Sequence, residues 1–148
     1  NAPYVVIQNV GGYIDLPRHF GSGQPLKTAE DIGPYMSRLA EVPALLDGEL
    51  ERIRDARGQG VVPPAFLLDK AIAQMEASIA ATGESYAGPL RASGIAGADT
   101  AATQAERIAA SGIVPSLERQ LAELKVQRGL AKDSAGMWAQ PGGEEYYA

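Results

Sequence analysis

Pro63-Pro64-Ala65-Phe66-Leu67-Leu68-Asp69-Lys70-Ala71-Ile72-Ala73-Gln74-Met75-Glu76-Ala77-Ser78-Ile79 is the stretch that decides the fold class. Leu68, Ile72, Met75 and Ile79 recur at steps of four, three and four residues, which puts them on one face of a helix. Leu67 and Ala71 widen that stripe. The proline pair suits a helix start, where a backbone donor would lack a partner anyway. Thr82-Gly83 predicts the end of this helix. Residues 83–98, rich in Gly, Ala and Ser, read as a connecting loop anchored by Tyr86 and Leu90.

The same period extends upstream. Thr28 is a good N-cap, with Glu30 and Asp31 in the electropositive first turn. Ile32, Tyr35, Met36 and Leu39 form one apolar face, continued by Val42, Leu46, Leu50 and Ile53 to a stop at Gly58 and Gly60. Pro43 falls inside, so the segment is either one helix kinked there or two helices that abut. The helices of this half occupy residues 28–82.

Downstream, Asp99 or Thr100 caps the longest predicted helix, residues 99–131. Its inner face is Ala105, Ile108, Ala109, Gly112, Leu117, Leu121 and Leu124. Small residues early and leucines later imply close helix approach first, then a thicker core. Pro115 frees the carbonyl of Ser111 and predicts a bend. At ~1.5 Å per residue the helix would span roughly 45 Å.

Residues 1–25 lack this period. Tyr4-Val5-Val6-Ile7 is β-prone, Gly11-Gly12 breaks it, and Tyr13-Ile14-Asp15-Leu16-Pro17 reads as a second extended piece. They predict an extended arm packed on helices, with a hairpin as the other reading. At the far end, residues 132–148 hold the sole Trp, a Pro-Gly-Gly turn and Glu144-Glu145-Tyr146-Tyr147, which suits the first turn of another helix. The chain stops there, so it reads as the N-terminal fragment of a larger domain. The expected architecture is all-α: a single region, 1–148, forming an irregular bundle of about four to five helices with a short extended N-terminal arm.

Composition narrows the function classes. Hydrophobic residues make up 45% of the chain, too many for a disordered one. Thirteen Lys and Arg against eighteen Asp and Glu give a net charge of −5, which argues against nucleic acid as the main partner. With no cysteine there is no disulfide, thiolate metal site or Cys nucleophile. No apolar run reaches the ~20 residues needed to span a bilayer. Asn1-Ala2 in place of an initiator Met suggests processing or truncation.

The candidate chemical groups are few. His19 is the only histidine, too few for a His-Glu-x-x-His zinc site or for a triad with a Gly-x-Ser-x-Gly elbow; it reads as a loop residue. Glu30-Asp31 and Glu144-Glu145 fit helix starts, and Glu49 with Glu51 alternates with Arg52 and Arg54 on an expected solvated face. Lys125, Arg128 and Lys132 could clamp an anion, but complementing the helix C-terminus is the simpler reading. Arg119 and Glu123, one turn apart, are expected to pair on the surface. No metal ligand or catalytic residue stands out. Trp138, Tyr146 and Tyr147 are the substrate-facing candidates, because aromatics beside a Pro-Gly-Gly turn can wall a cleft; the alternative is that they pack that turn onto the bundle.

Several segments taken together carry a resemblance. They are Pro3-Tyr4-Val5-Val6, Gly12-Tyr13-Ile14-Asp15-Leu16-Pro17, Pro43-Ala44-Leu45-Leu46-Asp47-Gly48-Glu49-Leu50 and Gly60-Val61-Val62-Pro63-Pro64-Ala65-Phe66-Leu67-Leu68-Asp69-Lys70. Pro115-Ser116-Leu117-Glu118-Arg119-Gln120-Leu121, Ala135-Gly136-Met137-Trp138 and Gly143-Glu144-Glu145-Tyr146-Tyr147 follow in order. Across almost its whole length the chain resembles the bacterial family called domain of unknown function 885, which is mostly helical and similar to zincin metallopeptidases. The resemblance implies a zinc-dependent peptidase or related hydrolase whose His-Glu-x-x-His helix and later Glu ligand lie beyond Tyr147. No position here matches those residues. On this reading zinc belongs to the missing C-terminal part. The partners are the remainder of the polypeptide and a peptide substrate, and the location is the bacterial periplasm or envelope. The competing reading is a non-enzymatic helical module that binds a peptide or protein.

Overall fold

The computed structural model describes residues 4–131. The fold is all-α, as the periodicity predicts. Five α-helices are described: α1 (Gly12–Arg18), α2 (Ile32–Gly58), α3 (Ala65–Ser93), α4 (Ala98–Ile108) and α5 (Val114–Leu130). α3 packs along α4 and α5, α2 closes against α5, and α1 lies across α2 and α3. One apolar core runs through them, from Val6, Tyr13 and Phe20 near the N-terminus to Leu117 and Leu124 in α5. Among the described residues, no helix is long and apolar enough to cross a membrane.

The N-terminal arm is shorter than residues 1–25. Gln8-Asn9 turns the chain so that Ile7 and Val10 form an isolated antiparallel bridge, with both hydrogen bonds at 3.1 Å. Asn9 takes the left-handed conformation (φ 63°) that this turn requires. From Gly12 the chain is helical, and a π-turn at His19–Gly23 follows, closed by the Gln24 N–H donating to the His19 carbonyl. The β-prone Tyr13-Ile14 pair hid a helical spacing: Tyr13, Leu16 and Phe20 are three and four residues apart, and all three face the core.

Thr28 is the N-cap of a short 3₁₀ turn, Ala29–Asp31, that opens onto α2. α2 is one uninterrupted helix with Pro43 inside it, so the two-helix alternative is wrong. Its buried stripe is Tyr35, Leu39, Val42, Leu46, Leu50 and Ile53, as the spacing predicts.

The loop expected over residues 83–98 is mostly helix. α3 continues through Gly83, Gly88 and Pro89 to Ser93 and ends at Gly94, which is left-handed (φ 68°). Low helix propensity is overridden by burial, because Thr82, Tyr86, Ala87 and Leu90 extend the stripe of Leu68, Ala71 and Met75. Burying a Leu or Met side chain contributes about 1.5–3 kcal/mol, more than a glycine in a helix costs. The rod predicted over 99–131 is α4 and α5 joined by a π-turn, Ala109–Ile113. That widened turn lies just before Pro115, where the missing donor would otherwise strain the i−4 carbonyl.

Candidate functional site

α2 and α5 meet along a polar seam inside an otherwise apolar contact. On α5, Ser116, Gln120, Glu123 and Gln127 recur at four, three and four residues and are all buried. The Ser116 hydroxyl donates to the Pro43 carbonyl at 3.3 Å. The Gln120 amide donates to the Leu46 carbonyl at 2.8 Å and to Glu49 Oε1 at 3.0 Å. Glu49 also accepts the Gly12 backbone N–H on both oxygens, at 3.2 and 3.0 Å, tying the start of α1 to the seam. At the outer margin Arg119 pairs with Asp47 at 2.9 Å.

Farther along, Glu123 is 4% exposed and receives Arg57 at 2.6 and 3.0 Å and the Gln127 amide at 3.1 Å. Arg54 stands 4.0 Å away. Both buried carboxylates therefore have their oxygens engaged. Such groups tie helices to one another. Gln120 Oε1 is the one buried side-chain polar atom without a partner among the described residues.

Two expectations change here. Glu49 is buried rather than solvated, unlike its exposed neighbour Glu51. Arg119 and Glu123 do not pair with each other; each reaches across to α2. The signal was in the sequence, since Glu49 sits on the stripe between Leu46 and Ile53, and Gln120 between Leu117 and Leu124. Polar residues on a stripe that must be buried require partners on the facing helix.

A second cluster fixes the arm to α3. The Gln74 amide donates to Asn9 Oδ1 and accepts the Asn9 backbone N–H, both at 2.7 Å. Tyr13 Oη lies 2.7 Å from both the Ile7 carbonyl and Gln74 Oε1. Burial pushes the Tyr13 hydroxyl up to about 12. A third cluster is aromatic. Phe20 meets Tyr35 and Tyr86 edge to face, with centroids 5.0 and 5.3 Å apart, and the Tyr35 hydroxyl donates to the Tyr86 carbonyl at 2.6 Å. Burial raises both phenols above the ordinary tyrosine value.

His19 is exposed in the π-turn, 3.3 Å from Gln24 Oε1 and edge-on to Phe20. Among the described residues no three His, Cys, Asp or Glu side chains are grouped to hold a metal ion. With one imidazole in the whole chain, these residues do not fit a catalytic zinc. Lys125 and Arg128 do not form an anion clamp; they reach Glu76 at 3.7 Å and Asp69 at 2.7 Å on α3. Lys132, Trp138, Tyr146 and Tyr147 lie outside the described residues.

The open surfaces are shallow. A groove of about 370 Å³ runs between α1 and α3, beside Ile14, Pro17, Arg18 and Ala81. Another, about 340 Å³, lies between Gln24-Pro25-Leu26 and the end of α3 at Pro89 and Ser93. Neither brings together a nucleophile, a base and an oxyanion donor.

A family model described as bacterial protein of unknown function (DUF885) matches residues 3–148. No curated protein matches the chain. Among solved structures, the crystal structure of a protein from Colwellia psychrerythraea described as a lipoprotein is similar, with a TM-score of 0.85 and 22% sequence identity. The match covers 99% of this chain and 26% of that one. At that identity the likeness establishes the fold, and the chain spans about a quarter of the neighbour's length.

Proposed function

The chain belongs to the bacterial family of unknown function DUF885, and from that premise we propose that it is the N-terminal helical scaffold of a larger zinc-dependent peptidase or related hydrolase. In this reading it is not catalytic by itself. It supplies structure and one wall of a substrate cleft, with Trp138, Tyr146 and Tyr147 facing a peptide. The metal-ligand helix belongs to polypeptide beyond residue 148, where zinc would activate water for attack on an amide carbonyl.

One observation carries the scaffold part. Almost the whole chain superimposes on a quarter of a longer one. The seam supports it too, since its buried carboxylates are engaged in holding helices. The peptidase part rests on the ordered resemblance from Pro3 to Tyr147. The description of the neighbour as a lipoprotein favours a periplasmic or envelope location.

The test uses the full-length gene product. It should contain a His-Glu-x-x-His segment downstream, bind about one zinc per chain and hydrolyse peptides until a chelator is added. Peptide hydrolysis that survives replacement of both histidines of that segment, or a stoichiometric metal on residues 1–148 alone, would overturn the reading. Defined ligand binding by residues 1–148 alone, without any downstream segment, would favour the non-enzymatic module.

A further inference from the structure

Arg38, Glu41, Val42 and Leu45 share one face of α2, at the spacing that stacks side chains over successive turns. Leu16, His19 and Phe20 have the same spacing on α1 and the π-turn after it. Where the two faces meet they frame a pocket of about 80 Å³. The buried Phe20 and Val42, with the half-buried Leu16, form an apolar floor. The exposed Leu45, His19, Arg38 and Glu41 form the rim. Phe20 is held edge to face by Tyr35 and Tyr86, so the floor is preformed and binding orders little of it.

Arg38 and Glu41 are one turn apart, yet they do not pair with each other, and among the described residues neither has an ion-pair partner elsewhere. Their order contributes, since a cation N-terminal to an anion along a helix pairs less well than the reverse. A ligand that suits this rim brings both signs. A simple carboxylate would face Glu41 with like charge, and a simple amine would face Arg38 in the same way. A free α-amino acid carries an ammonium and a carboxylate on one carbon, and its side chain can then lie on the floor. The pocket is far smaller than the roughly 300 Å³ at which drug-sized sites begin, so it takes one aliphatic side chain rather than a peptide.

We propose that this pocket binds a free aliphatic α-amino acid of leucine's size. Arg38 holds its carboxylate, Glu41 holds its ammonium, and its side chain lies on Leu16, Phe20 and Val42 beside Leu45. The proposal goes beyond the scaffold reading and does not depend on it.

The test is calorimetric titration of the full-length protein with L-leucine, with N-acetylleucine, which lacks the ammonium, and with leucinamide, which lacks the carboxylate. Saturable binding of leucine is expected, with both analogues weaker. Arg38→Met and Glu41→Gln should each weaken leucine binding about tenfold, the loss of one hydrogen bond to a charged group. Both side chains are exposed, so the variants should keep the wild-type circular dichroism and urea midpoint. Absence of saturable leucine binding at millimolar concentration would overturn the proposal. So would leucine binding that both variants retain in full, which would place the ligand elsewhere in the protein. An analogue that binds as tightly as leucine would also overturn it, because one of the two charges would then be idle.

Discussion

Arg57 at the end of α2 grips the buried carboxylate of Glu123 on α5 with two hydrogen bonds, 2.6 and 3.0 Å long. The two partners are unequal: Arg57 is partly open to water, whereas Glu123 is not. Removing the arginine leaves a desolvated charge with only the Gln127 amide and a distant Arg54. Removing the charge leaves a guanidinium that water can reach. Arg57→Ala should therefore lower the urea midpoint more than Glu123→Gln does. Equal effects, or the reverse order, would show that the pair is not held as described.

Gly112 lies in the π-turn against Pro43 of α2. A Cβ built there would stand 2.9 Å from Pro43 Cγ, on a ring that cannot swing aside. Gly112→Ala should cost about 1–3 kcal/mol through this clash. Gly83, inside α3 with nothing near its absent side chain, is the contrasting case. Gly83→Ala should stabilise by about 0.5–1 kcal/mol, because alanine loses less backbone freedom in a helix. Denaturation curves of the two variants in parallel check both signs.

Asp31 accepts backbone N–H groups from Lys27 at 2.7 Å and Thr28 at 2.9 Å. Those two bonds, the one from Lys27 first, hold its carboxyl below the ordinary aspartate value of 3.8. A carboxylate depressed on folding adds stability that is fully present above its unfolded value and is lost as pH falls through the folded one. The stability gap between wild type and Asp31→Ala should therefore be constant above about pH 5 and shrink in the acid limb. A gap independent of pH down to acid unfolding would contradict the assignment.

The buried tyrosines predict the alkaline limb. The Tyr13 hydroxyl is pushed up to about 12, and Tyr35 and Tyr86 are also raised, mainly by burial. A phenol raised on folding adds stability that is present below its unfolded value near 10 and is lost as pH rises through the folded one. Absorbance titration at the phenolate band should show these three ionising together with loss of helical circular dichroism. Replacing Tyr35 by Phe removes the bond to the Tyr86 carbonyl and should cost roughly 1 kcal/mol.

The helices were legible wherever apolar spacing was strong. Leu68, Ile72, Met75 and Ile79 gave α3 its face, and Val42, Leu46, Leu50 and Ile53 gave α2 its own. α1 was obscured because Tyr13 and Ile14 favour strands locally, and only packing of Tyr13 and Phe20 reveals the helix. The last turns of α3 were obscured by Gly83, Gly88 and Pro89, whose propensities argue against a helix that Tyr86 and Leu90 stabilise by burial. The seam was half legible. Glu49 and Gln120 stand on apolar stripes, but which polar group faces which depends on the axial position of α2 against α5, and no single-helix pattern encodes that. The cross-helix partners of Arg119, Lys125 and Arg128 were hidden for the same reason.

Leucine ridges alone would let two long rods slide past one another by a turn at little cost. Ser116 on Pro43, Arg119 on Asp47, Gln120 on Leu46 and Glu123 on Arg57 work like the teeth of a key. Shift the rods by one notch and every tooth meets the wrong slot, leaving buried charge and amide unanswered at several places at once. The two helices therefore have a single axial setting.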